Sequence, residues 1–320
     1  MLHDIADALR CPHCAAPLSL DADGRTLRCT GRHTFDVARQ GYTSLLAGDA
    51  KTGTADTADM VAARDAFLGA GHYAPIADAV THAVTAAVRA AAGDPAGGDG
   101  VPGHIADVGA GTGYYLARVL DALPERAGIA LDISKHALRR AARAHARIGA
   151  VVCDAWQPLP VRDHAAAAIL NVFAPRNPAE LHRILHPAGR LVVVTPNAGH
   201  LAEPVARLGL LRVDSDKKAR LDAALANHFT PAGDTRVAFG APLTHADVAT
   251  VVGMGPSAWH TDPAELRDRI AALPEPWPVS VDVTVSIYSP RAHLHTRDAR
   301  HNALASNRIV THNRGPITSE

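Results

Sequence analysis

The chain has 320 residues and carries 32 basic and 32 acidic side chains, so its formal net charge is zero. That length allows one medium domain with a small appendage, and the neutral balance gives no support to a nucleic-acid partner, since such domains are often basic. No apolar run approaches the roughly 18 residues of a membrane span. Met1-Leu2-His3-Asp4 lacks the basic start and apolar stretch of a secretion signal, so the expected setting is the cytoplasm, with no membrane partner. Aromatic residues make up only 4% of the chain, which predicts an aliphatic core. The positive charge is almost all arginine, which suits phosphate forks and base stacking better than lysine does; coding bias would produce the same excess.

Three of the four cysteines stand near the start. Cys11-Pro12-His13-Cys14 is followed by Cys29 and His33, a C-x-x-C pair and a C-x-x-x-H pair. Tetrahedral zinc needs four soft or borderline ligands brought together from two tight turns, and Pro12 and Gly31 suit such knuckles. Leu18, Leu20 and Leu27 flank Asp23-Gly24, a hairpin signal between the pairs. The expectation is a zinc ribbon over residues 1–50, too small for its own core and dependent on Zn2+ to fold. A thiol redox pair is the competing reading. It requires a strand running into Cys11 from a thioredoxin-like unit, and none is legible. His13 competes with His33 for the fourth ligand position; His33 is preferred because it completes the second knuckle. The last cysteine, Cys153, reads as a small core residue on a buried strand.

Residues 51–100 read as a helical connector, with a helix around Met60 to Phe67 and a surface linker rich in Gly, Pro and Asp from Gly93 to Gly103. Residues 101–290 then alternate short apolar runs with helical patterns, which predicts an α/β fold on a parallel sheet. His104 to Val108 is the first strand, entering Gly109-Ala110-Gly111-Thr112-Gly113. A helix follows, with Tyr114, Leu116, Val119, Leu120 and Leu123 at helical spacing. Gly128 to Leu131 ends in Asp132, Ala150 to Cys153 ends in Asp154, and Ala166 to Leu170 ends in Asn171. A helix around Pro178 to Leu185, a Pro187-Ala188-Gly189 turn and a strand over Leu191 to Val194 come next. Val237 to Phe239 and Val281 to Tyr288 are the last strands. Met254 to His260, between them, reads either as a loop walling a substrate site or as a plain helix cap. Residues 291–320 have no apolar periodicity and are expected to form a disordered tail.

A dinucleotide-binding fold would show G-x-G-x-x-G. Here the loop is G-x-G-x-G, with Asp107 two residues before it. That pattern resembles the class I (Rossmann-like) methyltransferase fold and predicts S-adenosyl-L-methionine as cofactor. Asp107, Gly109, Gly111 and Gly113 are then the candidate loop contacts. Asp132 is placed to grip the ribose hydroxyls, and Asp154 to receive the adenine amino group. Asn171 stands where this fold places its target-base contacts, with Phe173 to stack on the base and Pro175 to shape the pocket. A plain strand-to-helix loop is the bland alternative for that block. No carboxylate at Asn171 offers itself as proton acceptor.

With the ribbon and the glycine loop both placed, the chain resembles the bacterial 23S rRNA guanine-N1 methyltransferases that carry an amino-terminal zinc ribbon. The matching stretches are His33-Thr34-Phe35-Asp36 with Gly41-Tyr42, Met60-Val61-Ala62-Ala63-Arg64, Gly71-His72-Tyr73, the glycine loop, Asn171-Val172-Phe173-Ala174-Pro175-Arg176-Asn177-Pro178, and Met254 to Trp259. Within that family it is most similar to the actinobacterial tylosin-resistance branch. The resemblance implies 23S rRNA as partner, a guanine in the domain II hairpin at the tunnel entrance as target, and tolerance of tylosin-like macrolides; a homodimer is the candidate assembly. The ribbon is the expected RNA-recognition module, with Arg25, Arg28, Arg32 and Arg39 nearby. Lys135, Arg139, Arg143 and Arg147 recur every four residues as a helical stripe, either a phosphate contact or a solvated face. Two other functions compete: a small-molecule methyltransferase of antibiotic biosynthesis, which gives the ribbon no role, and a non-catalytic zinc-dependent RNA-binding protein, which leaves the three aspartates unexplained.

Overall fold

The computed structural model describes residues 2–46, 55–90, 100–209, 217–255 and 263–292. The expected tail from 293 onward, most of the 93–103 linker and the Pro256 to His260 part of the Met254 loop lie outside the described residues.

Two single-turn 3-10 segments, Leu2–Asp4 and Ala6–Ala8, lead into the cysteine cluster. Strands β1 (Leu18–Leu20), β2 (Thr26–Cys29) and β3 (Thr34–Asp36) form a small antiparallel sheet in that order. Leu18 pairs with Cys29 and Leu20 with Leu27, so the hairpin turns where Asp23-Gly24 predicts it.

Strand β4 (Tyr42–Ser44) leaves the ribbon and becomes an edge of the main sheet. Helices α1 (Ala58–Gly69) and α2 (Ala74–Ala90) follow. Thr57 caps α1 by accepting the Met60 N–H at 3.2 Å, one of the donors that every helix start leaves open. The alternating part then runs β5 (His104–Val108), α3 (Tyr114–Ala122), β6 (Gly128–Asp132), α4 (Lys135–Ala144), β7 (Ile148–Val152), β8 (Ala166–Val172), α5 (Pro178–Ile184) and β9 (Leu185–Pro196). Helices α6 (Ala202–Leu208) and α7 (Lys217–Leu225), strand β10 (Phe229–Leu243), helices α8 (His245–Gly253) and α9 (Pro263–Ala271), and strand β11 (Trp277–Pro290) complete it.

The main sheet has eight strands in the order β10-β11-β9-β8-β5-β6-β7-β4. All pairs from β4 to β9 are parallel, whereas β11 runs antiparallel to both its neighbours. The chain winds outward from β5 to β6 and β7, then returns to the other side of β5 to lay down β8 and β9. Winding therefore reverses between β5 and β8, and a doubly wound sheet opens a crevice at the carboxyl ends of the strands there.

Two buried clusters cover the two faces. One joins α2 and α3 to the sheet through Ile76, Val80, Val84, Leu116, Val119 and Leu120. The other joins Leu2, Ile5, Leu9, Leu18 and Leu27 to Val151, Val161 and Ile169. The ribbon thus buries its leucines in a core that it shares with the sheet. Leu9 bridges to Val161, and the Arg162 N–H donates to the Ala8 carbonyl at 2.8 Å. Residues up to Pro290 cluster as one compact unit.

Several elements differ from the sequence reading. Strand β10 is far longer than Val237 to Phe239 because it pairs with β11 along its length, from Phe229–Pro290 to Leu243–Trp277; its exposed, Gly- and Pro-containing sequence has no alternation to reveal it. Strand β9 starts at Leu185. Ala166 pairs with Leu185 and Ala168 with Arg190, so the Pro-Ala-Gly turn is an excursion within the strand. Helix α4 ends at Ala144, and Arg147 lies beyond it. Its guanidinium donates instead to the carbonyls of Leu120, Leu123 and Arg126 at the end of α3. Lys135, Arg139 and Arg143 remain exposed on α4.

Candidate functional site

In the ribbon, Cys11, Cys14, Cys29 and His33 bring one ligand atom each to within 4.8 Å of one another. The Cys14 and Cys29 sulfurs stand 3.6 Å apart, and His33 Nδ1 is 3.5 Å from Cys11 Sγ and 3.4 Å from Cys29 Sγ. A tetrahedron with zinc–sulfur legs of about 2.3 Å has edges of about 3.8 Å, slightly shorter towards nitrogen. The donor set and its spacing fit Zn2+. His13 stays outside the set: its ring stacks on Phe35 at 5.8 Å and tilts against His33 at 5.0 Å. Cys153 is buried, and burial pushes its thiol well above the usual range.

At the crevice the strand ends enclose a cavity of about 460 Å3. Of the residues singled out from sequence, Asp107, Gly109, Gly111, Asp132, Asp154, Phe173 and Pro175 line it. Asp132 accepts the Gly111 N–H through Oδ2 and the Ser134 N–H through Oδ1, both at 2.8 Å, which fixes its plane and the loop together. Burial raises its pKa, opposed by those two N–H donors. Asp107 is buried behind it. Its Oδ1 has no hydrogen-bond partner among the described residues, and burial, then the Asp132 charge, pushes its pKa up to about 8. A buried carboxyl left without a partner is costly and marks the place for a cationic or hydrogen-bonding group. Asp154 accepts the Trp156 N–H at 2.9 Å and so sets the pocket rim. Gly109 has φ +80°, and a Cβ there would fall 2.3 Å from Ala174 Cβ; glycine alone lets the loop after β8 approach so closely.

Two sequence assignments change. Gly113 is not at the cavity. A Cβ on it would lie 3.0 Å from Ala141 Cα, so it serves the close crossing of α3 and α4 rather than the cofactor. Asn171 is fully buried within β8. Its Nδ2 donates to the carbonyls of Val108 at 3.0 Å and Pro175 at 2.9 Å, and its Oδ1 accepts Arg176 Nε at 2.9 Å. Both amide hydrogens are spent, so it ties β5 to the 173–176 loop and does not reach a base.

Phe173 does face the cavity. It is 40% exposed, holds a left-handed φ of +53°, and stacks on His200 with ring centroids 5.8 Å apart. Trp156 is 64% exposed. These two are the exposed large apolar residues among those described, and both line the same mouth. An open cavity rimmed by exposed rings suits a flat, π-faced substrate.

Several lining residues were not legible as such. Asp56, Arg64 and Tyr73 come from the segment before the fold's first motif. Arg64 pairs with Asp56 and donates Nη2 to the Met254 carbonyl at 3.0 Å, while Ser134 Oγ donates to the Asp56 carbonyl at 2.9 Å. The start of α1 is thereby strapped across the cavity. Tyr115, on α3, buries its hydroxyl without a partner among the described residues.

Strand order, glycine loop and strand-end acids define a class I, S-adenosylmethionine-dependent methyltransferase carrying a zinc ribbon. The RlmA amino-terminal zinc-ribbon model matches residues 9–53, and a methyltransferase-domain model matches residues 105–193. A Micromonospora griseorubida protein assigned as a 23S rRNA (guanine-N(1)-)-methyltransferase is 53% identical over 90% of this chain and 99% of its own length. The 23S rRNA (guanine(748)-N(1))-methyltransferase of Streptomyces fradiae is 51% identical over 91% of this chain and 99% of its own. A Bacillus subtilis protein of the same assignment is 29% identical over 87% of this chain and 94% of its own. The chain belongs to the zinc-ribbon family of bacterial 23S rRNA guanine-N1 methyltransferases.

Proposed function

We propose that this chain methylates N1 of a guanine in 23S rRNA, within the domain II hairpin at the tunnel entrance that the Streptomyces fradiae relative's guanine 748 represents. The observation that carries this reading is one cavity lined by carboxylates with exposed Phe173 and Trp156 at its mouth, in a chain similar to that relative over 91% of its length.

The bound cofactor supplies an electrophilic methyl on a sulfonium. Asp132 would receive the ribose hydroxyls, Asp154 the adenine amino group, and Asp107 the positive end of the methionine part. The backbone of Gly109 and Gly111 lines the way between them. Phe173 stacks on the target base while Pro175 shapes its pocket. Asn171 acts at one remove, holding the loop that carries both. These contacts would limit how base and methyl donor can approach one another, which lowers the barrier to such a transfer. Cys11, Cys14, Cys29 and His33 would hold structural zinc, and the exposed Arg25, Arg28, Arg32 and Arg39 give the ribbon its phosphate-facing charge.

Among the described residues no helix is long and apolar enough to cross a membrane. Cytoplasmic residence, a homodimer and tolerance of tylosin-like macrolides belong to this same proposal, the first following from a ribosomal substrate; sedimentation of the purified chain reads the second. Incubation with methyl-labelled cofactor and either 23S rRNA or free tylosin tests the activity. Label in the RNA supports it; label in the macrolide alone refutes it.

A further inference from the structure

Beside Phe173 the cavity wall is polar in a directed way. Tyr73 lines the cavity, and its hydroxyl stands 3.3 Å from His200 Nε2. The other ring nitrogen, Nδ1, accepts the backbone N–H of Asp282 at 3.3 Å. A backbone N–H can only donate, so in the neutral ring Nδ1 is bare and the hydrogen sits on Nε2. His200 is neutral across the physiological range, because burial holds it down at about 4 despite the Asp282 carboxylate.

Nε2–H therefore donates to the Tyr73 oxygen, and the phenolic hydrogen must point elsewhere. Tyr73 has no second hydrogen-bond partner among the described residues. Its ring is buried, with Phe67 edge-on at 5.0 Å and Phe173 at 6.3 Å, so the open direction for that hydrogen is the cavity.

The polarity is anchored from behind. Asp282 accepts Arg236 Nε at 2.9 Å and Nη2 at 2.8 Å, and Asn197 Nδ2 at 2.7 Å. The Asn197 N–H donates to the Asp282 carbonyl at 2.9 Å. Strand β11 thus presents a fixed N–H to His200, and the orientation passes through the imidazole to the phenol.

Resting on the methylation reading above, we propose that Tyr73 reads the base: its hydroxyl donates to the keto oxygen O6 of the target guanine, with His200 as the positioning residue that turns the hydrogen inward. A base stacked on Phe173 brings its edge to this hydroxyl. Guanine offers an acceptor beside N1, whereas adenine offers an amino donor, which meets a hydrogen of like sign. As N1 sheds its proton, negative charge spreads onto O6, so the hydrogen bond that selects guanine strengthens as the base becomes nucleophilic.

The test is a binding cycle with the full chain, S-adenosylhomocysteine, and two versions of the domain II hairpin, one with guanine and one with 2-aminopurine, which lacks O6, at the target. Wild type should prefer guanine by about five- to tenfold, the worth of one neutral hydrogen bond. Tyr73→Phe should bind both alike at unchanged cofactor affinity, with a lower melting temperature because the buried His200 Nε2–H loses its acceptor. His200→Phe should lose the preference too, and His200→Gln, which keeps an acceptor and a donor, should recover most of it. Tyr73→Phe retaining the wild-type preference overturns the proposal while leaving the methylation reading intact. Wild type that neither binds nor methylates the guanine hairpin overturns the methylation reading and this proposal with it.

Discussion

Arg176 Nε donates to Asn171 Oδ1 at 2.9 Å inside a loop whose far side Gly109 touches through Ala174. The pair closes a ring of hydrogen bonds: Asn171 Nδ2 reaches Val108 on β5 and Pro175 on the loop. A side chain placed where target-base contacts are expected is thereby committed to the protein itself. Asn171→Ala should remove the side-chain donors to the Val108 and Pro175 carbonyls and the acceptor of Arg176 Nε. We expect about 2 to 4 kcal/mol less stability in urea unfolding and a larger fall in turnover than in cofactor affinity. Stability within 0.5 kcal/mol or so of wild type would show that Asn171 is not holding this loop.

The metal cluster predicts about one zinc per chain in metal analysis. Cys14→Ser should lose it, since Cys14 supplies one of four ligands. The ribbon leucines lie in the core that covers the sheet, so metal loss should also lower the melting temperature of the cofactor domain. Wild type free of zinc as purified would contradict the assignment.

Asp132 ties the glycine loop to the ribose site. Asp132→Ala should weaken S-adenosylmethionine binding by about 2 to 4 kcal/mol. Asp132→Asn keeps one acceptor for the Gly111 or Ser134 N–H and should cost less. Calorimetry giving equal affinity for all three proteins would place the cofactor elsewhere.

Asp107 makes cofactor binding depend on pH. Its pKa is raised in the fold from 3.8 to about 8, so folding favours its protonated form. Its contribution to the stability of the cofactor-free protein is fully present below the ordinary carboxylate range and is lost as pH rises through about 8. A cationic group docking on Asp107 favours the carboxylate instead. Binding at pH 7 should therefore release close to one proton, about 0.9 for a pKa near 8, and affinity should rise with pH up to about 8 and then level. Calorimetry in two buffers of different ionisation heat counts the proton, and Asp107→Asn should abolish its release. Proton uptake, or no exchange in wild type, would contradict the pairing.

The metal ligands were legible because coordination imposes spacing within a few residues of chain. Asp132 and Asp154 were legible because each follows an apolar run of strand length, and Asp107 because it stands two residues before the glycine loop. Tyr73 and His200 lie 127 residues apart, and neither stands in a pattern that announces the other; only the packing of α2 and α6 beside β11 brings them together. Arg64 reads as one more polar position on a helix until Met254 and Asp56 are seen around it. Strand β4 is three residues long, too short to alternate, so its place in the main sheet follows from its pairing with β7 alone. Gly113 sits in the loop pattern, yet its use is helix packing, which a glycine count cannot distinguish from contact with a ligand.

The most direct measurement is reverse transcription across 23S rRNA from cells that express the intact chain. N1 methylation removes a Watson–Crick donor, so extension should halt beside one guanine of the domain II tunnel hairpin. The halt should disappear in cells carrying Asp132→Ala. Read-through at that guanine with the intact chain present would contradict the account.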